Sequence, residues 1–263
     1  MLHSKSSTRN SGSDLADHSE RSQFTAARLL REARRQKGLP RINVPSTCVL
    51  DPDGDITRYL TAKGAIRMPQ WACYHSDLYV SSIFGKGIGI IGCAVGAPYA
   101  VLVAEELFAS GCRMLISVTS AGMLRPDLLK ENALYIIEKS VRGDGVSARY
   151  LLRDEVASIG GQLNRRIHVT LRKSNIEVGT CTAWTTDAPF RETRSAIEQA
   201  LALGAECVEM ESAGLYAFAK ACKREVVCIA HITNTMGKAG NDFEKGRDNG
   251  VISILSVLKY IVR

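Results

Sequence analysis

After Pro45 the rhythm of hydrophobic and polar positions changes repeatedly along the chain. Short runs rich in apolar and β-branched residues alternate with stretches in which apolar positions recur every three or four residues. The first kind predicts strands and the second predicts helices. Strands are expected at STCVL (46–50), LYVSSIF (78–84), GIGIIGCAV (87–95), RMLISVTS (113–120), ALYIIEKS (133–140), IEVGTCTAW (176–184), AECVE (205–209) and VVCIAHI (226–232). Helices are expected at about 55–63, 98–110, 160–173, 191–203, 212–223 and 243–261. Pro98 stands early in its helix and Gly111 follows its end, as the start and stop preferences of helices require. Such alternation specifies an α/β fold. The expected form is a single-domain, three-layer αβα arrangement, with a central mixed, mostly parallel sheet and helices on both faces. Ligands of such folds gather at the carboxyl ends of strands. VTSAG, TAWTTDAPF, VEMES and AHITNTMG are the ends to inspect.

The first 40 residues read differently from the rest. MLHSKSSTRNSGSDLADHSE is polar, has no apolar core of a secretory signal and is expected to be disordered. FTAARLLREARRQKG follows with helical spacing at Phe24, Ala27 and Leu30 and a stop at Gly38. Residues 1–40 are therefore expected to be a polar tail, partly disordered, and a basic helix, and 41–263 to form the folded α/β domain. The formal net charge of the 263-residue chain is +7. The tail and helix supply eight basic residues against Asp14, Asp17, Glu20 and Glu32, which leaves little excess on the main body. No basic stripe with interleaved aromatics marks a nucleic-acid partner. No apolar run reaches membrane-spanning length, so no membrane partner and a cytoplasmic location are expected. The eight cysteines form no CxxC pair and sit mostly in apolar runs, as free thiols of a reducing compartment do. No metal site is spelled out, and no metal or redox cofactor is expected.

Gly87-Ile-Gly89-Ile-Ile-Gly92 matches the dinucleotide-binding pattern GxGxxG. That pattern works only where the glycines turn a strand into a helix. Here they are interleaved with isoleucines, and the helix begins only near Pro98. The run reads as a strand approached closely by other backbone.

The stretch AECVEMESAGLYAFAKAC (205–222) puts Glu209 and Glu211 where an apolar strand becomes an apolar helix. If the chain stays extended there, both carboxylates face one side. Glu211 also suits a helix N-terminus, where negative charge is stabilised. Glu209 is harder to explain after Cys207 and Val208. A carboxylate pair at the mouth of a sheet is suited to accept hydrogen bonds from a vicinal diol, such as the 2′- and 3′-hydroxyls of a sugar.

VEMESAGLYAFAKA resembles the ribose-binding signature of the nucleoside phosphorylase superfamily, most closely its uridine phosphorylase branch. GAPYAVLVAEELFASGCRMLISVTSAGML, SVRGDGVSARY, TTDAPFRET and HITNTMG resemble further segments of that family in its order, over roughly 47–262. The resemblance implies cleavage of the N-glycosidic bond of a nucleoside, with phosphate as co-substrate and a homo-oligomer, dimer or hexamer. It implies that Glu211 accepts from the sugar hydroxyls and that Met210 packs under the ring beside Glu209. Ser120 and Gly122 fall on the loop between anion and base, and Phe190 and Arg191 on the base loop. Asn234 stands where purine-cleaving relatives carry a protonating Asp. An Asn cannot protonate the base, but it can hydrogen-bond an oxo-base.

The anion site departs from the family pattern. LDPDGDITRY replaces the expected Gly-Asp-Pro-x-Arg loop and adds Asp51, Asp53 and Asp55. Ser117 stands where an Arg is usual, and QWACYHSDLY offers no arginine for a neighbouring subunit. Arg58 and Arg67 are the candidate replacements. Three readings stay open: phosphorolysis, hydrolysis with water as acceptor, and a nucleoside-binding protein without turnover.

Overall fold

The computed structural model describes residues 20–152, 155–174, 176–235 and 244–262. The polar segment expected to be disordered lies outside them, apart from Glu20. Among the described residues there are ten strands: β1 (Thr47–Asp51), β2 (Ile66–Arg67), β3 (Tyr79–Ser81), β4 (Ile88–Gly92), β5 (Met114–Met123), β6 (Leu134–Gly143), β7 (Ala157–Ser158), β8 (Gly179–Thr186), β9 (Cys207–Glu209) and β10 (Glu225–Thr235). Seven helices accompany them: α1 (Ala26–Lys37), α2 (Asp55–Ala62), α3 (Ala97–Ala109), α4 (Gly161–Lys173), α5 (Arg194–Ala202), α6 (Ser212–Cys222) and α7 (Val251–Ile261). The expected α/β class and mixed sheet are those observed.

All ten strands join one sheet. The order is β10-β6-β8-β9-β5-β1-β4-β3-β2, with β7 on β6. The long ladders are parallel: β5 with β1 and β10, β1 with β4, and β6 with β8. Antiparallel pairings are short and lie at β2–β3–β4, β6–β7, β6–β10 and β5–β9. Because β5 pairs with β9 as well as β10, the path β5-β10-β6-β8-β9 closes on itself. Closure removes the unpaired edges of those strands. The remaining arm, β1-β4-β3-β2, extends from β5 as an open sheet.

The continuous apolar runs of the sequence follow from this arrangement. Strands covered on both faces are buried on both faces and need no alternation. Cys48, Val49 and Leu50 of β1, Leu115 and Ile116 of β5 and Val226 to Ala230 of β10 all have at most 1% exposure. Helix α6 is buried along most of its length, with Tyr216 the largest fully buried side chain. Its hydroxyl donates to Ile137 O and accepts from Cys228 N at 2.9 Å, joining α6 to β6 and β10. Helix α1 carries a Thr25 cap and a Gly38 stop, and buries Leu30 and Ala33 against Ala72. The glycines of the GxGxxG run lie in and beside β4. A Cβ on Gly89 would stand 2.6 Å from Cys48 Sγ, so the glycine serves strand packing.

The elements differ from expectation at their ends. β5 runs three residues past Ser120, because β9 and β10 pair with Gly122 and Met123 and hold them extended. Ser120 and Gly122 are thus strand residues, not loop residues. α5 begins at Arg194 with Thr193 as its cap, and Pro189–Arg191 forms a separate 3-10 turn. α7 is shorter than expected. Arg247–Gly250 is a 3-10 turn in which Asp248 and Asn249 have φ of 51°, so the α-helix starts only at Val251. β2 and β7 have two residues each, too few to leave a period in the sequence.

Tyr216→Phe keeps the packing and strands one buried carbonyl and one buried amide. We expect a loss of about 1–3 kcal/mol in urea unfolding, with an unchanged denaturant slope. An unchanged midpoint would show that the hydroxyl bridge does not hold the sheet to α6.

Candidate active site

The later residues of β5 and β10 and the carboxyl ends of β8 and β9 come together beside the N-terminus of α6. Register puts Ser120 opposite His231, Gly122 opposite both Asn234 and Val208, and Thr185 opposite Glu209. Thr233 is an extra residue between the paired positions Ile232 and Asn234. Such a bulge re-aims the side chain that follows it.

The chain turns at Met210, so the two glutamates do not share a face. Glu209 points into the start of α6. Its carboxylate accepts from the backbone of Glu211 and Ser212, both at 2.8 Å, from Ser212 Oγ at 2.6 Å and from Thr185 Oγ1. It is 3% exposed and serves as an internal cap of the helix. These four bonds, not a ligand, occupy Glu209 in this structure, against the expectation of a paired diol receptor. Burial pushes its carboxyl up, while the hydrogen bonds from Ser212 and Thr185 oppose the shift.

Glu211 points the other way. Oε1 accepts from Gly96 N, just before α3, at 2.7 Å, and Oε2 accepts from Thr119 Oγ1 at 2.8 Å. The side chain is 1% exposed. Burial and then the charge of Glu209 push its pKa up to about 8. At neutral pH it is therefore mainly a neutral acid. Met210 lies half-buried between the two.

The aspartate-rich loop lies beside Ser120. Asp53 accepts from Ser120 Oγ and pairs with Lys245 Nζ at 3.1 Å. Asp55 accepts from Lys245 Nζ and Arg58 Nη2, each at 2.5 Å, and from Asn249 Nδ2 at 2.9 Å. Burial alone would raise the Asp55 carboxyl, yet Lys245 and Arg58 hold it below the usual range. Asp51 accepts from Thr57 N at 2.7 Å, and burial raises it to about 6. Asp53 and Asp55 are thus paired with cations from inside the chain, while Asp51 is held by a backbone amide. Arg67 instead pairs with Asp77 at 2.8 Å on the β2–β3 hairpin.

A cavity of about 10 Å³ is lined by Asp51, Asp53, Asp55, Thr119, Ser120 and His231 among others. His231 is 3% exposed, and its Nε2 has no hydrogen-bond partner among the described residues. Gly250, with φ of 70°, lets the backbone pass over the ring, since a Cβ there would stand 2.2 Å from His231 Cε1. Burial lowers the pKa of His231, which favours the neutral ring.

The base-side candidates are less gathered. Asn234 is half-buried, with Oδ1 accepting from Thr233 Oγ1 at 3.2 Å. Phe190 is 99% exposed and Arg191 is exposed on the same 3-10 turn, so neither is brought to the cluster. The neighbouring loop is held by Asp187, which accepts from Gly145 N at 2.8 Å. Sequence reading missed Lys245, Asn249, His231 and Gly96, and took Thr119 only for its backbone N–H beside Ser120, not for the hydroxyl that reaches Glu211. Only His231 carried a signal, a lone histidine in an apolar strand. Lys245 and Asn249 reach Asp55 from 190 and 194 residues away, which no local pattern records.

One outcome is linked to pH and another to unfolding. A raised folded-state pKa means that Glu211 binds its proton more tightly when folded. Its contribution is therefore full below about pH 4.5 and is lost as pH rises through about 8. Glu211→Gln mimics the neutral acid, so its thermal stability should match the wild type near neutrality and exceed it above pH 8. Equal slopes of stability against pH in the two proteins would contradict this. Glu209→Ala should cost about 2–4 kcal/mol in chemical unfolding, through the lost cap and the buried donors left unpaired. A loss below about 1 kcal/mol would return Glu209 to the role of a dispensable charge.

Comparison with known proteins identifies the family and the fold. Residues 65–263 match the phosphorylase superfamily. A DeoD-type purine nucleoside phosphorylase of Exiguobacterium sibiricum is 25% identical over 151 residues, which cover 57% of this chain and 64% of that protein. A protein of the same description from Brevibacillus brevis is 25% identical over 153 residues, with the same coverage. The chain thus spans slightly less than two thirds of the curated relatives it matches. The crystal structure of purine nucleoside phosphorylase from Toxoplasma gondii in complex with immucillin-H shares the fold. Its TM-score is 0.71 at 14% identity, covering 83% of this chain and 90% of that one. With most of its length matched and the fold shared, the chain belongs to the phosphorylase superfamily.

Proposed function

We propose that the chain cleaves the N-glycosidic bond of a nucleoside, with Glu211 receiving the sugar hydroxyls and Asn234 facing the base. The observation that carries this reading is the setting of Glu211. One carboxyl group is fixed between Gly96 N and Thr119 Oγ1, where the ends of β5 and β9 meet. A carboxylate has about four lone-pair sites, so two remain for a diol once its cover opens. The ionised form makes the stronger hydrogen bonds. Sugar binding therefore favours loss of the Glu211 proton, and nucleoside affinity rises with pH up to about 8. As the bond breaks, positive charge on the sugar is stabilised by the carboxylates, and negative charge on the base by a donor from Asn234.

The relatives named above are phosphorylases, which makes phosphate the nominal acceptor. Its natural seat here is Ser120 with Lys245 and Arg58, and Asp53 and Asp55 already occupy those donors. Phosphate must displace a carboxylate to bind, so its dependence should be weak. Water is the second reading. The 10 Å³ cavity holds about one water, bordered by Asp53 and the unpartnered Nε2 of His231. Either group is a chemically competent general base.

A panel of inosine, guanosine, uridine and adenosine, incubated with and without phosphate, tests the proposal. Oxo-bases should be released in preference to adenine. Pentose 1-phosphate saturating at sub-millimolar phosphate would refute the weak-dependence reading. Free pentose at the same rate without phosphate would establish hydrolysis. Binding by calorimetry without release of any base would leave a nucleoside-binding protein. In an active enzyme, Glu211→Gln should lower kcat/KM by about ten- to a hundred-fold and flatten the rise of affinity with pH.

A further inference from the structure

Glu106 is a carboxylate without an explanation. It lies in α3, is 0% exposed, and neither oxygen has a hydrogen-bond partner among the described residues. A buried carboxylate without a hydrogen bond is costly, and such a group is normally paired closely or coordinates a metal. Cys73 and His75 come to it from the loop between β2 and β3. One ligand atom each of Cys73, His75 and Glu106 lie within 4.8 Å of one another. His75 Nε2 is 3.7 Å from Glu106 Oε1 and 3.9 Å from Cys73 Sγ. Ligands about 2.0–2.3 Å from a tetrahedral zinc stand roughly 3.3–3.6 Å apart, so small side-chain movements suffice.

We propose that Cys73, His75 and Glu106 form a binding site for a borderline-soft divalent cation, zinc foremost, separate from the nucleoside site. The donor set is one thiolate, one imidazole and one carboxylate. Hard cations take oxygen ligands, whereas thiolate and imidazole suit zinc. The two anionic ligands balance the double positive charge. Binding forms bonds from Sγ, Nε2 and a carboxylate oxygen to the metal and releases the thiol proton to solvent. Three protein ligands leave a fourth position for water.

The surroundings hold the ligands in place. Lys37 Nζ donates to Ala72 O at 3.0 Å and Cys73 O at 2.6 Å. Tyr99 Oη donates to His75 O at 2.6 Å, and the His75 and Tyr99 rings meet edge to face at 5.5 Å. Ser76 Oγ lies 3.1 Å from Cys73 Sγ, where it can donate to a thiolate. Partners of this kind orient metal ligands and tune their affinity. The cation would tie the β2–β3 loop and the end of α1 to α3. Sequence reading found no metal motif, because a Cys-x-His pair and a glutamate thirty residues later match no familiar spacing.

The full chain, stripped with a chelator, is titrated with Co²⁺ as a spectroscopic probe and then with Zn²⁺ against a competing chromophoric chelator. We expect one ion per chain, a thiolate-to-cobalt charge-transfer band, and a higher melting temperature with Zn²⁺. Cys73→Ser should abolish that band. Cys73→Ser, His75→Gln and Glu106→Gln should each weaken Zn²⁺ binding at least about 100-fold, the upper end of what losing an outer partner costs. His75 is one-third exposed, so His75→Gln folds even if the buried variants do not. Absence of stoichiometric Zn²⁺ binding by the wild type would overturn the proposal. So would equal affinity in His75→Gln, which would locate the ion on other cysteines.

Discussion

The structure is organised by one strand. β5 pairs with β10 along its whole length, with β1 over its first four residues and with β9 near its carboxyl end. A strand with neighbours on both sides satisfies its backbone groups without water. That permits the fully apolar run from Met114 to Ile116 in the centre of the protein. The same pairing holds Thr119, Ser120 and Gly122 extended, so their side chains project at set positions. The polar groups of the site are fixed because the strand that carries them cannot move without breaking its ladders.

A second principle is visible in Glu209 and Glu211. Two like residues two positions apart do different work because the backbone turns between them. Glu209 satisfies the first amides of α6 and stays internal. Glu211 is left facing the start of α3 and Thr119. Glu209 then acts on Glu211 at close range, since its charge adds to burial in raising the pKa of its neighbour. The structural carboxylate thereby holds the helix in position and adds to burial in favouring the protonated form of the candidate ligand group.

The aspartate loop shows how charge composition misleads when partners are distant. Three aspartates in five residues read as repulsive to any anion. In the fold they are matched by Lys245, Arg58, Asn249 and a backbone amide, and the cluster is nearly balanced. The result is a cluster whose cations are already held by the protein's own carboxylates, and under the proposed function phosphate would compete with those carboxylates for Lys245 and Arg58.

Periodicity made the class of fold and the long elements legible, because burial on both faces of a parallel sheet demands continuous apolar runs. The strand reading of GIGIIG followed from isoleucines between glycines. Glu211 was legible because an acidic residue at an apolar strand–helix junction is costly without a purpose. Tertiary structure alone decided the rest. Only the β9 and β10 pairings make Ser120 to Met123 a strand. The turn at Met210 separates Glu209 from Glu211, and nothing in the local pattern announces it. Lys245 reaches Asp53 and Asp55, and Glu106 meets Cys73 and His75, across separations that no window of sequence spans. The physical reason is the same in each case: local order depends on neighbouring residues, whereas a charge in the interior depends on whichever chain segment the sheet brings to it.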